Sequence, residues 1–284
     1  MNKRRFFFLT LLMLLVPSLS WAQAQTDTAP PKDGRIEVIG EGEHPQGEDS
    51  LPAQCKSTAR NNAMRNALEQ AVGVEVRGSS VIYNSDLISD LVRTATKGLI
   101  VDYKVLEEGP KLKDGQVTYY CKLKANVKPI SAEKRGSFGI LKMKVYRPDK
   151  KSAMAAPVFQ DNDEIQVSVS VNEDSYINIF SVGQDGAVSK LFPNQHVRVE
   201  VLPARKEFIF PDDTYRMLGL KLRVTTPKKL SRAVESVLII ASKEKVDLLS
   251  GNVHEPMITD LMKELSEIDP SLWTDKTVGY EVRK

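Results

Sequence analysis

Apolar residues recur every fourth position between Cys55 and Ala71, and this is the strongest periodic signal in the chain. Ala59, Ala63, Ala67 and Ala71, flanked by Met64, Leu68 and Val72, fall on one face, while Lys56, Arg60, Arg65, Glu69 and Gln70 fall on the other. That spacing predicts an amphipathic helix with one apolar stripe and a solvated back. Ser50 is placed to cap it, Pro52 suits a first turn, and Gly73 suits the left-handed stop. A second helix is expected from about Asp86, with Leu87, Ile88, Leu91, Val92 and Ala95 inward and Gly98 ending it. Before these helices, Ile36, Val38 and Ile39 form a short strand pattern. After them, Val101, Tyr103 and Val105, then Val117, Tyr119, Cys121, Leu123, Ala125 and Val127, alternate with polar residues. Asp114-Gly115 lies between the two alternating runs and predicts an antiparallel hairpin with a long tip.

The second half alternates at period two. Leu141, Met143 and Val145 form one run, and Ile165, Val167, Val169 and Val171 another. Tyr176 to Val182 and Val188 to Phe192 flank Gly183-Gln184-Asp185-Gly186, a strong hairpin signal. Further strands are expected at 197–202, 208–210, 218–224 and 237–241, the last apolar on both faces and therefore central. Ile258, Leu261, Met262, Leu265 and Ile268 predict a helix, and Trp273, Val278, Tyr280 and Val282 a final strand. The fold class expected is α+β: a small two-helix, antiparallel-sheet module over 35–130, then a β-sandwich-like domain with a C-terminal helix over 138–284. The short polar stretch from Ser131 to Gly136 is the expected boundary.

The N-terminus has a different pattern. Lys3, Arg4 and Arg5 precede an apolar run from Phe6 to Val16, then Pro17 and small residues. The run is much shorter than the ~20 residues of a spanning helix, so 1–24 reads as a secretory signal peptide cleaved after Ala22 or Ala24. No cysteine lies near either site, so lipidation is not expected, and the mature chain is expected in the periplasm. Residues 25–34, polar and containing Pro30 and Pro31, read as a flexible leader.

That reading changes the charge balance. The chain has 40 Lys+Arg and 37 Asp+Glu; without Lys3, Arg4 and Arg5 the two are equal at 37. A chain with no basic excess is a poor nucleic-acid partner. Membrane contact, if any, is expected to be peripheral. Lys142, Lys144, Lys150, Lys151, Lys228, Lys229, Lys243 and Lys245 form either a basic patch or ordinary edge charges.

Both cysteines fall in the first module. Cys55 continues the helix stripe and Cys121 points with Tyr119 and Leu123, so both thiols face one core. In an oxidising compartment that pattern favours a disulfide contributing about 4 kcal/mol in the chain-entropy model; two separate thiols and a redox-active pair are the alternatives.

The segment from Ala59 to Val76, A-R-N-N-A-M-R-N-A-L-E-Q-A-V-G-V-E-V, with G-L-I-V-D-Y-K-V-L-E-E-G from Gly98 to Gly109, resembles the N-terminal domain of the flagellar assembly protein T family and related small envelope lipoprotein folds. The resemblance covers about 35–129 and implies periplasmic, non-enzymatic assembly around an outer-membrane machine. The segment Y-I-N-I-F-S-V-G-Q-D-G-A-V-S-K-L-F-P-N, from Tyr176 to Asn194, with Trp273, Val278 and Tyr280, resembles an uncharacterised bacterial β domain of exported and signalling proteins.

No catalytic motif is present. His44, His196 and His254 are far apart and lack metal-ligand neighbours. Asp161, Asp163 and Glu164, like Asp212-Asp213, lack the glycine and distant glutamate of a calcium loop. No nucleophile elbow, phosphate loop or dinucleotide fingerprint occurs, so no enzyme activity and no cofactor is expected. The expected function is a binding or scaffold protein of the bacterial envelope that contacts envelope proteins, an outer-membrane or flagellar complex among them; the alternative is a periplasmic sensor binding a small ligand or glycan through the β domain. Tyr83, Tyr176, Phe192 and Trp273 are the candidate interface aromatics, with core packing as the competing role.

Overall fold

The computed structural model describes residues 34–47, 51–72, 98–130, 136–149, 157–197, 200–227, 230–250 and 255–284. The signal peptide, nearly all of the leader, the helix expected from Asp86, and Ser50, Gly73, Tyr83 and His254 lie outside these residues, as does the boundary stretch except Gly136. The fold is β-rich. Among the described residues no helix is long and apolar enough to cross a membrane.

The N-terminal sheet has strands β1 (Ile36–Pro45), β2 (Gly98–Lys113) and β3 (Gln116–Pro129), in the order β1-β3-β2 and antiparallel throughout. The expected long tip of the β2–β3 hairpin is absent. Lys113 pairs with Gln116, and Asp114 and Gly115 alone make the turn at φ 50° and 78°, the pair of positive angles that a two-residue hairpin turn requires.

Helix α1 (Pro52–Val72) lies on β1 and β3. Its alanines pack where β1 carries glycine. A Cβ on Gly40 would stand 2.0 Å from the Ala63 carbonyl oxygen, and one on Gly42 2.3 Å from that of Ala59. Helix and strand thus meet almost backbone to backbone. The back of α1 is not solvated along its whole length, as the stripe predicted: Thr58 and Asn61 are also buried. The β domain covers that side, and Asn61 Nδ2 donates to the Gln184 carbonyl at 3.4 Å. The other face of the N-terminal sheet carries the ion pairs Glu37–Lys124 and Glu41–Lys122, both 2.7 Å.

The β domain is a sandwich. Its outer sheet contains β4 (Ile140–Tyr146), β6 (Glu164–Val171), β9 (Phe208–Phe210) and β10 (Leu222–Arg223), with β6 pairing all three others. Its central sheet runs β5-β12-β11-β7-β8, from β5 (Val158–Gln160), β12 (Trp273–Arg283), β11 (Arg232–Ser242), β7 (Tyr176–Gly183) and β8 (Val188–Phe192). The doubly apolar strand is central, as its composition requires. Val237, Ile239 and Ala241 pack against Val167, Val169 and Phe210 of the outer sheet. Leu238 and Ile240, on the opposite face, join α3 (Ile258–Ser266), Trp273 and the α1 alanines in a second core. The described residues from Gly34 to Lys284 form one compact unit, and this second core runs through both halves.

The strand expected over 218–224 reduces to β10, because Asp212 starts a short helix, α2 (Asp213–Met217), by accepting the Tyr215 N–H at 2.9 Å. The strand expected over 197–202 reduces, among its described residues, to a bridge between Leu202 and Ser175.

The expected disulfide is not formed: Cys55 and Cys121 are both free and buried. The phase argument placed both in the core, but sharing a core is a weaker condition than the Cβ separation and direction that a disulfide needs. Cys121 instead neighbours Glu108. Burial, then the Glu108 charge, pushes its thiol up to about 11, which suppresses the thiolate that exchange requires.

Candidate functional site

Among the described residues several grooves are open to solvent, one of about 630 Å³ between the end of β3 and the end of α3, and two others are built by turns that the sequence marks. The first of these two lies where α1 meets the β domain. Its walls are the start of α1 (Leu51, Ala53, Gln54, Ser57), the β7–β8 turn (Gly183, Gln184, Asp185) and the approach to β11 (Pro227, Leu230, Ala233, Val234, Glu235), around about 420 Å³. Gln54 Oε1 accepts the Leu51 N–H at 3.2 Å and its carbonyl accepts from Ser57 Oγ at 3.0 Å, fixing the helix end. Asp185 Oδ1 accepts the Ala187 N–H at 3.1 Å within its hairpin turn.

Glu235 is the group with unusual chemistry here. It pairs across the sheet with Tyr280, whose hydroxyl donates to Glu235 Oε2 at 2.8 Å. Burial raises the Glu235 carboxyl above its usual range; the Tyr280 hydrogen bond works against that shift and the Asp185 charge adds to it. The Tyr280 phenol, buried and packed edge-on to Phe159, is pushed well above its usual value by burial and by the Glu235 charge. Nothing in the sequence of β11 singles out Glu235; its pairing with Tyr280 becomes visible only through the strand register.

The second groove, about 430 Å³, lies wholly within the β domain, between the loop after β8 and the region around β9 and α2. Phe208 and Tyr215 contribute apolar surface above the nearly buried Phe192, and His196, Glu200, Lys206 and Glu207 contribute polar groups. Asn194 closes a turn: its Oδ1 accepts from the N–H groups of His196 and Val197 at 2.9 and 3.0 Å, and its Nδ2 donates to the Leu191 carbonyl.

The candidate interface aromatics do not converge. Phe192 is packed against Phe208 and Phe210, and Trp273 lies beneath α3; at 3% and 2% exposure neither offers a free face. They are core residues, the competing role that aromatic burial favours. Tyr176 is half-buried. The lysines do not assemble into one described patch: Lys142 and Lys144 are exposed on β4, Lys243 pairs with Glu173 at 2.8 Å, and Lys150, Lys151, Lys228 and Lys229 lie outside the described residues.

Among the described residues no group of three His, Cys, Asp or Glu side chains is arranged to hold a metal ion. The acidic positions flagged by sequence are tied into the fold: Asp161 accepts the Thr226 N–H, Asp163 pairs with Arg147, and Glu164 pairs with Arg216 and Lys221. A similar cluster holds the first module together, with Glu108 receiving both Arg60 and Lys56 at 2.8 Å.

Residues 158–245 match the model of a family described as a domain of unknown function, DUF4384. The match runs from β5 past the end of β11, yet β12 inserts between those two strands, so the sheet closes only with residues beyond it. No curated protein matches the chain.

Proposed function

We propose that this chain is an exported, non-catalytic binding or scaffold protein of the bacterial cell envelope that helps assemble or stabilise an outer-membrane-associated complex. The observation that carries the reading is the junction groove, built jointly by α1 of the first module and by β11 and the β7–β8 turn of the β domain. A surface made by both halves of one continuous core is presented with fixed geometry, which lowers the ordering cost of binding. The signal-peptide pattern supports export, and the resemblance of 35–129 to the flagellar assembly protein T module supports an envelope machine, with the flagellar base as the candidate. The two-helix form of that module, with its second helix from about Asp86, belongs to the same proposal.

A second reading rests on the groove beside Asn194. Its mixture of aromatic surface with carboxylate, imidazole and ammonium groups is the composition of a small-ligand or glycan site. Affinity purification from envelope extract, followed by reconstitution with the purified partner, separates the two. A stoichiometric complex reformed from pure components supports the scaffold. A monomer without partners whose Tm rises with an added glycan or metabolite supports the sensor and contradicts the scaffold.

A further inference from the structure

The junction groove combines an apolar lining with two carboxylates. Leu51, Pro227, Leu230 and Val234 supply the apolar surface, and Asp185 and Glu235 the acidic groups. A carboxylate withdrawn from water normally acquires a cation, because an uncompensated buried charge is costly. Among the described residues, Glu235 is met by the neutral hydroxyl of Tyr280. Among the described residues no lysine or arginine forms an ion pair with Glu235 or Asp185. The groove thus offers negative charge, hydrogen-bond acceptors and an apolar wall, all open to one side.

Building on the binding function proposed above, we propose that this groove receives an arginine side chain from an apolar-flanked segment of a partner protein, with the guanidinium on Glu235 and Asp185. Arginine fits better than lysine because its planar fork donates to carboxylates bidentately and its weaker hydration suits a partly dry site, while its methylene stem covers the leucines. The volume, about 420 Å³, lies near the lower end of the ~300–1,000 Å³ range of small-ligand pockets, room for one long side chain rather than a folded element. The groups facing Glu235 are Tyr280 from β12 and Asp185 from the β7–β8 turn, and a bound guanidinium favours its ionised form. Affinity therefore rises with pH as Glu235 loses its proton.

The test uses the full mature chain and two fluorescein-labelled peptides, Leu-Leu-Arg-Leu-Leu and the same sequence with citrulline, the neutral isostere of arginine. Fluorescence anisotropy at pH 7 is expected to show the arginine peptide binding at least tenfold more tightly. Glu235→Gln, which keeps the hydrogen bond to Tyr280, is expected to abolish that preference while its Tm at pH 7 rises. Equal binding of the two peptides, no binding, or a preference that survives Glu235→Gln overturns the proposal. If the peptides fail while a partner complex still reforms from pure components, the groove assignment falls and the scaffold reading stands.

Discussion

Gly42 on β1 faces the Ala59 carbonyl of α1 so closely that a methyl group in its place would stand 2.3 Å from the oxygen. The obstacle is backbone and cannot rotate away, so the helix must move off the sheet. Gly42→Ala is expected to destabilise the protein by about 3 kcal/mol, the upper end of the overpacking range, and Gly40→Ala by a similar amount. Gly109→Ala, where a Cβ meets nothing within 4 Å, is expected to change stability by less than about 0.5 kcal/mol. Urea unfolding of the three variants checks the contrast.

The Glu108 carboxyl makes a pH-dependent contribution. Burial alone would raise its pKa, but the hydrogen bonds and charges of Arg60 and Lys56 outweigh burial and leave it lowered. A carboxyl with a lowered folded pKa stabilises above its unfolded pKa and loses that contribution as pH falls through the folded one. Arg60→Ala is therefore expected to cost about 2–3 kcal/mol at pH 7, below the 3–5 of a fully buried pair because Arg60 is partly exposed. The deficit is expected to shrink in acid, as measured by denaturation from pH 7 to pH 3.

Glu235 has the opposite sign. Its folded pKa is raised, so the stability it contributes is fully present below its unfolded pKa and is lost as pH rises through the folded value. Glu235→Gln is expected to unfold at a higher Tm than the parent at pH 7 and at the same Tm near pH 3. A variant less stable at pH 7 would contradict the environment described.

The two thiols give a chemical check. Cys55 and Cys121 are free and buried, and the raised Cys121 thiol is a poor nucleophile. Alkylation without reductant is expected to label two cysteines per chain in denaturant and fewer than one in native buffer over the same time. A chain that takes up no label in denaturant would contradict free thiols.

Several elements were legible in the sequence for simple physical reasons. The α1 alanine spacing and the doubly apolar β11 follow from one-face and two-face burial, whereas β6 alternates faultlessly and yet buries Gln166, Ser168 and Ser170 on the face its pattern assigns to solvent. What escaped depends on distant partners. Thr58 and Asn61 are buried because the β domain covers the back of α1, which no local pattern encodes. β5 has only three residues and pairs in parallel with β12, more than a hundred positions away. α2 was hidden because Asp212-Asp213 reads as solvent-facing charge until Asp212 is seen capping Tyr215. The candidate site was least legible of all. Aromatics are natural suspects for an interface, yet Phe192 and Trp273 fill cores, while Glu235 acquires its character only from Tyr280 on a neighbouring strand.

The central claim, that the junction groove is a docking surface used after export, is tested most directly by site-specific photo-cross-linking in cells. Ala53 is exposed at the groove wall, and Leu112 is exposed near the β2–β3 turn and does not line the groove. A cross-linking residue at position 53 is expected to give one discrete adduct with an envelope protein in the periplasmic and membrane fractions, and the same residue at position 112 none. Retention of the chain in the cytoplasm, or no discrete adduct from position 53, would contradict the account.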